Sequence, residues 1–342
     1  MSEPSSKKKH LVKVLYAKQA FFCNEDQTVL DAALSTGLAL PHSCRGGNCG
    51  RCVAQCRSGK FVYRNVMVPA GLSREQQERG EVLLCQVLPR SPMTVDIDAV
   101  RATAQTPVVK LPCRIVGREQ VAKDVVKLRV QMPRSQPLQF VPGQHVDFIL
   151  TDGRRRSYSL ACLPSATNPL ELHVRRVVGG VFSDIAFGIS EHSDLLRLEG
   201  PLGRFGWRDP DRNAVLIAGG TGYAPLKAML LENWQQNRDR QLHLFWGGRD
   251  VQDLYELSAM CERASADRNF SFTPVIETAD ADCPEIAVGK VHEIAMKQLK
   301  KHTDTNVYAA GPPAMMEALQ HSFATAGMNT SQLFCDSFTY AQ

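Results

Sequence analysis

Apolar and polar residues alternate from Leu11 to Tyr16, the period of a strand with one buried face, and a second strand-like run centres on Phe21-Phe22. Thr28 to Gly37 reads as a helix, because the Thr can cap its first turn and the Gly ends it. A cysteine-rich loop follows, and strand-like sequence continues to Met93–Ile97. Arg101 to Pro107 is small and polar, as expected of a linker. Beyond it, short runs at Cys113–Arg118, Val125–Gln131, His145–Leu150, Tyr158–Ala161 and Leu170–Val177 stand between Pro and Gly punctuation, which predicts an antiparallel barrel. The pattern then changes again. Buried-type strands at Val215–Ala218, Leu242–Trp246, Phe272–Ile276 and Asn306–Ala309 alternate with helices starting at Ala224, Leu254 and Val291, which predicts a parallel α/β sheet. The expected organisation is multidomain, α+β and α/β: residues 8–100, a linker at 101–108, a barrel at 109–208 and an α/β domain at 209–342.

Composition changes this picture little. Hydrophobic and charged contents of 44% and 22% are those of an ordinary globular chain. Most of the excess of five positive charges lies in the first hundred residues, where Lys7-Lys8-Lys9 reads as a solvated tail, not a nucleic-acid arm. No signal peptide is visible, and no apolar run is long enough to span a bilayer, so a cytoplasmic chain that meets no membrane is expected; a monomer is taken as the expected state, although no sequence pattern bears on it. Eleven cysteines in that compartment point to a metal or redox site rather than disulfides.

Cys44-Arg-Gly-Gly-Asn-Cys49-Gly-Arg-Cys52, with Cys85 far downstream, has the C-x4-C-x2-C…C spacing of plant-type [2Fe–2S] ligands. Three thiolates must wrap a compact cluster within nine residues, and Gly46, Gly47 and Gly50 allow the loop to bring amide N–H groups close to the sulfides. Structural zinc normally pairs two short Cys knuckles, and Cys85 has no such neighbour. Cys56 reads as a spare thiol on the following strand; Cys23, Cys113, Cys162, Cys261, Cys283 and Cys335 read as core residues. Pro41 to Cys52 and Gly80-Glu-Val-Leu-Leu-Cys85-Gln resemble the ferredoxin module of bacterial oxygenase reductases, which implies a β-grasp domain.

Arg156-Ser157-Tyr158-Ser159 offers a guanidinium for a pyrophosphate, a ring for an isoalloxazine and hydroxyls for ring nitrogens. His173-Val174-Arg175 and Gly180-Val181-Phe-Ser183 follow, the latter a helix start with N–H donors for phosphate oxygens. With the turn Pro142-Gly143-Gln144 these resemble the FAD-binding barrel of the ferredoxin–NADP⁺ reductase superfamily. That resemblance implies Arg156 on the pyrophosphate, Tyr158 against the flavin and Ser159 near N5.

Val215 to Pro225 is a buried strand, a Gly-rich turn and a helix start, the arrangement to which a dinucleotide's phosphates can come close. Gly220, Thr221, Gly222, Ala224 and Pro225 resemble the superfamily's nucleotide turn, and Gly311-Pro312 its third element, with Ala310 where a cysteine commonly stands. Glu277, after the strand ending at Ile276, would repel a 2′-phosphate and accept from a ribose hydroxyl, favouring NADH over NADPH; Arg249 is the counterargument. At the C-terminus Asp336 and Phe338 match the acidic residue and aromatic that approach the flavin in this family, with Tyr340 a competing aromatic and a plain edge strand the simpler reading.

The resemblance spans residues 10–340 and implies hydride transfer from NADH to FAD, assisted by Ser159, Asp336 and Phe338, then single-electron steps to the cluster. It implies a terminal oxygenase of an aromatic-hydroxylating system, or a small ferredoxin feeding it, as acceptor. Arg45, Arg51 and Arg57 suggest a basic docking face. A reductase for deoxysugar dehydration has the same architecture. A membrane quinone-reductase subunit shares the modules but would need an N-terminal hydrophobic helix, and a non-catalytic zinc or redox-sensing module is the remoter alternative.

Overall fold

The computed structural model describes residues 8–15, 19–38, 40–42, 45, 52–64, 69, 72, 74–97, 107–189, 194–203, 205–280, 283–299, 305–329 and 332–338. Cys44, Cys49, Arg51, Tyr340 and the linker at 101–106 lie outside the described residues. The chain forms two compact units, one built mainly from residues 1–109 and one from 110–200 and 205–338.

In the first unit, β1 (Lys9–Leu15) and β2 (Gln19–Asn24) form an antiparallel pair, and α1 (Val29–Ser35) follows. Thr28 caps α1 by accepting from the Asp31 N–H at 3.1 Å, and Gly37 leaves it at φ +82°. The remaining elements are β3 (Val53–Ser58), β4 (Phe61–Tyr63), α2 (Arg74–Glu78), β5 (Glu81–Leu83), β6 (Val87–Pro89) and β7 (Met93–Asp96). A five-stranded sheet runs β2-β1-β7-β3-β5, with β1 parallel to β7, and β4 pairs with β6 apart from it. Val12 and Val14 of the sheet and Leu30, Ala33 and Leu34 of α1 share one core, so the predicted helix covers the sheet as a β-grasp requires.

The second unit holds two sheets. β8 (Val109–Ala122), β9 (Val125–Gln131), β10 (His145–Ile149), β11 (Arg155–Ser159), β12 (Leu170–Arg175) and β13 (Leu195–Leu202) make a six-stranded sheet ordered β11-β10-β13-β8-β9-β12, and α3 (Val181–Ala186) follows β12. A bridge between Leu160 and Leu172, with Ala161 N–H donating to Glu171 O at 2.8 Å, ties the two edges into a barrel. The alternation at 113–118 marked only part of β8, and β13 carries no strong pattern and was not expected.

The second sheet is parallel. β14 (Ala214–Gly219) leads through a short 3₁₀ turn into α4 (Tyr223–Gln235); β15 (Leu242–Gly248), α5 (Leu257–Ala266), β16 (Phe270–Ile276), β17 (Ala287–Val288), α6 (Val291–Leu299), β18 (Asn306–Gly311), α7 (Pro313–Thr325) and β19 (Leu333–Ser337) complete it. The order β17-β16-β15-β14-β18-β19 reverses direction between β14 and β18, the crevice in which open parallel sheets bind ligands. The C-terminal segment is an edge strand, as the simpler sequence reading had it.

Candidate cofactor sites

Cys52 and Cys85 are buried within the first unit. The Leu84 N–H donates to the Cys52 carbonyl at 3.0 Å, which draws the two chain segments together, and the Cys85 N–H then donates to Cys52 Sγ at 3.4 Å. Gln86, which the sequence reading did not single out, donates through Nε2 to Cys85 Sγ at 3.7 Å and to the Arg45 carbonyl at 3.0 Å. Two buried sulfurs, each receiving an N–H, suit thiolates that ligate iron, since such bonds offset buried negative charge. Cys56 sits half-buried on β3 opposite Val95, and burial pushes its thiol up. Two expectations fail. Cys261 is exposed on α5, not in the core. The basic docking face loses one member, since Arg45 is only 12% exposed, while Arg57 stays 55% exposed and bonds the buried Asp96 through Nη2 at 2.7 Å.

In the barrel, strand alternation puts Arg156 and Tyr158 on one face of β11, while the Ser157 hydroxyl crosses to Asp147 Oδ1 at 2.6 Å on β10. The Tyr158 ring packs on Phe182 of α3 with centroids 4.6 Å apart, and Ser159 is buried at the strand end. Arg156 and Tyr158 remain partly exposed, so a guanidinium and a ring edge are presented together, as a flavin nucleotide would need. Gly143 turns at φ +100°, and a Cβ there would stand 2.6 Å from the Phe205 carbonyl oxygen, so the turn requires glycine. Gly180 starts α3, and the Ser183 hydroxyl is turned back onto the Gly180 and Val177 carbonyls at 2.8 and 3.0 Å. Val181 is the first residue of α3, with Ser183 buried and Val181 half-buried.

β12 carries the next group to the edge of the nucleotide sheet. Both His173 ring nitrogens are engaged, Nε2 with Glu171 at 3.1 Å and Nδ1 with the Tyr255 hydroxyl at 2.8 Å, and burial holds the imidazole below its ordinary range. Val174 is buried between strands. Arg175 Nη1 donates to both Asp124 oxygens at 2.9 and 2.8 Å. The His173 side chain therefore ties the barrel to the parallel sheet through Tyr255, and the Arg175 guanidinium is held by the Asp124 carboxylate. Lys227 supplies the cation among Glu171, His173 and Glu256, whose ligand atoms lie within 4.8 Å of one another. Its Nζ is 2.7 Å from Glu171 and 2.6 Å from Glu256, so an ammonium already neutralises a group that could otherwise hold a metal ion. Burial opposes the Glu171 charge, yet hydrogen bonds from His173 and Lys227 hold its carboxyl down to about 2.

The nucleotide turn is packed by the absence of side chains. A Cβ on Gly222 would overlap the Ala310 carbonyl at the end of β18, and one on Gly219 would come within 2.5 Å of the Met315 sulfur and 3.0 Å of Pro312 Cδ. Gly220 adopts φ +54° beneath the Arg175 guanidinium, its carbonyl accepting from Trp246 Nε1 at 3.0 Å. Thr221 is half-exposed, Ala224 and Pro225 are buried, and Tyr223 stacks on Trp246 at 4.0 Å. Glycines on either side of Thr221 keep this turn small where it enters α4 at the sheet's crevice, an arrangement that fits a pyrophosphate. Asp336 pairs with Ala310 across β18 and β19, and the Phe338 N–H donates to the Gly311 carbonyl at 2.9 Å. The C-terminal acid and aromatic thus run along the same strand end that the glycine turn touches. Glu277 is exposed at the end of β16, its N–H on the Gly248 carbonyl at 3.1 Å.

Sequence reasoning missed Asp124, Lys127, Lys227, Asp253 and Glu256, which join the barrel to the parallel sheet. Only Arg249-x-x-x-Asp253 has a local spacing that could have drawn attention.

Three domain families match the chain: the 2Fe-2S iron-sulfur cluster binding domain at residues 14–90, the oxidoreductase FAD-binding domain at 112–207 and the oxidoreductase NAD-binding domain at 216–321. The chain is 33% identical to a CDP-6-deoxy-L-threo-D-glycero-4-hexulose-3-dehydrase reductase of Yersinia pseudotuberculosis, over 93% of this chain and 95% of that protein. It is 33% identical to the xylene/toluene monooxygenase electron transfer component XylA of Pseudomonas putida, over 91% and 89%. The crystal structure of the Amycolatopsis cytochrome P450 reductase GcoB superposes with a TM-score of 0.83 at 31% identity, covering 97% of this chain and all of that one. No helix among the described residues is long and apolar enough to cross a membrane. The chain belongs to the family of iron–sulfur flavoprotein reductases in which a [2Fe–2S] domain is joined to FAD-binding and NAD-binding oxidoreductase domains.

Proposed function

We propose that this reductase oxidises NADH and delivers electrons one at a time to a terminal oxygenase, or to a small ferredoxin feeding it, in an aromatic-hydroxylating system of the cytoplasm. The supporting observation is the shared end of β14 and β18, where Gly222 meets Ala310 and the flavin sheet's Arg175 lies over Gly220. A nucleotide seated on that turn would stand beside β12 of the barrel, which carries Arg175. Bound FAD accepts a hydride and gives up single electrons, and a bound [2Fe–2S] cluster takes them singly. The protein's part is to hold and orient. Arg156 would bind the FAD pyrophosphate with Gly180, Val181 and Ser183. Ser157, Tyr158, Ser159, His173, Val174 and Arg175 would line the flavin, with Ser159 hydrogen-bonded to the ring. Gly220, Thr221, Gly222, Ala224, Pro225, Gly311 and Pro312 would receive the nicotinamide nucleotide, while Asp336 and Phe338 close over the flavin. Cys44, Cys49, Cys52 and Cys85 would ligate the cluster.

Glu277 supports NADH as the donor, because an exposed carboxylate at the end of β16 repels a 2′-phosphate. We place the domains at 8–100, 109–208 and 209–342, with a linker at 101–108, in a monomer. The oxygenase as acceptor rests on the likeness to the Pseudomonas monooxygenase component. A second reading, a reductase serving a deoxysugar dehydratase, is favoured by the Yersinia relative, matched over 95% of its length. Reconstitution separates the two. NADH oxidation coupled to an aromatic-ring oxygenase, with no turnover of a CDP-deoxyhexulose dehydratase, is the expected outcome; the reverse selects the sugar pathway.

A further inference from the structure

The turn between β8 and β9 belongs to the flavin sheet, yet its Asp124 carboxylate binds two arginines from other strands. Arg175 Nη1 donates to it at 2.9 and 2.8 Å, and Arg249 Nη2 donates to its Oδ2 at 2.9 Å. Asp253 engages the same two guanidinia from the other side. Arg249 reaches it through Nε at 2.7 Å and Nη2 at 2.8 Å, and Arg175 through Nη2 at 3.3 Å. Two cations and two anions therefore alternate. Asp253 is 5% exposed, whereas Arg249 is 59% exposed.

Arg249 stands one residue past the end of β15, and the Thr278 N–H donates to its carbonyl at 3.1 Å. It is thus the neighbour of Glu277 on the adjacent parallel strand, at the edge where a dinucleotide's ribose is read. A guanidinium there is the natural partner for a 2′-phosphate, with a planar fork that matches the phosphate oxygens. In this chain Nε and Nη2 are both directed at carboxylates.

We infer that Asp124 is a specificity-determining residue for the coenzyme: added to Asp253, which holds Arg249 Nε and Nη2, it is the second carboxylate that keeps that guanidinium from a 2′-phosphate and leaves Glu277 to repel it. This rests on the NADH reading above and deepens it. Selectivity then depends on a flavin-sheet residue that does not itself contact the nucleotide.

The test compares kcat/KM for NADH and NADPH, with ferricyanide as acceptor, in flavin-loaded wild type and Asp124→Asn. Asparagine keeps the size and one acceptor for Arg175 but removes the charge. The NADPH-to-NADH efficiency ratio should rise about tenfold or more, the worth of one charge-assisted contact, chiefly through a lower KM for NADPH. The gain should vanish in Asp124→Asn combined with Arg249→Gln. An unchanged ratio in Asp124→Asn with native flavin content overturns the inference. A wild-type ratio near one instead removes the NADH reading itself. If Asp124→Asn does not fold, Arg249→Gln in the wild-type background decides. Its NADPH-to-NADH ratio should stay at the wild-type value, and a marked fall means Arg249 already holds the 2′-phosphate.

Discussion

The two compact units keep their cofactor-binding residues in place by different physics. In the first, Cys52 and Cys85 are fixed by short backbone links, Leu84 to Cys52 and Cys85 to the Cys52 sulfur, within a small mixed sheet covered by α1. In the second, the site is an encounter of strand ends, closed by glycines that admit no Cβ and by ion pairs that cross from barrel to parallel sheet. A cluster needs a few strong bonds from a local loop. A dinucleotide needs backbone at close range over a long surface, which only the assembled fold supplies.

The comparison breaks most sharply at the cluster. Cys85→Ser should abolish [2Fe–2S] absorption and electron delivery to a one-electron acceptor such as cytochrome c, while NADH–ferricyanide activity persists. Loss of both activities would show that the units are not separable in this way. Next in size is the ionic seam. Lys227→Met leaves Glu171 only His173 and Glu256 only Lys127 and the Tyr223 hydroxyl, a loss below the roughly 3–5 kcal/mol of a fully broken buried pair. Urea unfolding followed by flavin release should shift accordingly, with cluster bleaching displaced far less.

Acid sharpens the same contrast. Glu171 and Asp253 are both held down to about 2 against burial, by His173 and Lys227 in one case and by Arg249 and Arg175 in the other. Folded-state values below the unfolded ones mean that these groups stabilise fully above about pH 4.5, and the contribution is lost as pH falls toward about 2. Flavin-unit melting should therefore decline steeply over that window, and a flat profile would remove the seam's role. The smallest effect is expected at Cys56, whose thiol sits on β3 with its sulfur 3.6 Å from the Ser58 carbonyl. Cys56→Ser should keep full iron content, and cluster loss would make it a ligand.

The same difference explains what could be read in advance. The barrel and the parallel sheet were legible because strand and helix periods survive in short windows, the Thr28 cap and Gly37 stop mark α1 directly, and the β-grasp was implied by the likeness of the cysteine segments to a ferredoxin module. The cysteine spacing and the glycine turn are local too. β13 was not legible, because Leu195-Leu-Arg-Leu-Glu-Gly-Pro-Leu202 mixes charge and glycine within an interior strand. Neither were Lys127, Lys227 and Glu256, which meet across more than a hundred residues of chain for Lys127 and Glu256, nor Gln86, whose amide matters only because Cys85 and Arg45 lie beside it. Arg175 illustrates the limit well. Its place in the barrel motif was legible, while the Asp124 and Asp253 carboxylates that hold its guanidinium lie 51 and 78 residues away in the chain.

The central claim is that NADH loads a flavin and a cluster held on one chain. Anaerobic titration of the purified protein with NADH, with flavin and iron–sulfur absorption followed separately and no partner added, tests it most directly. Bleaching of both chromophores, with the flavin leading and the cluster following, is the predicted result. A flavin that bleaches while the iron–sulfur bands stay unchanged would contradict the account.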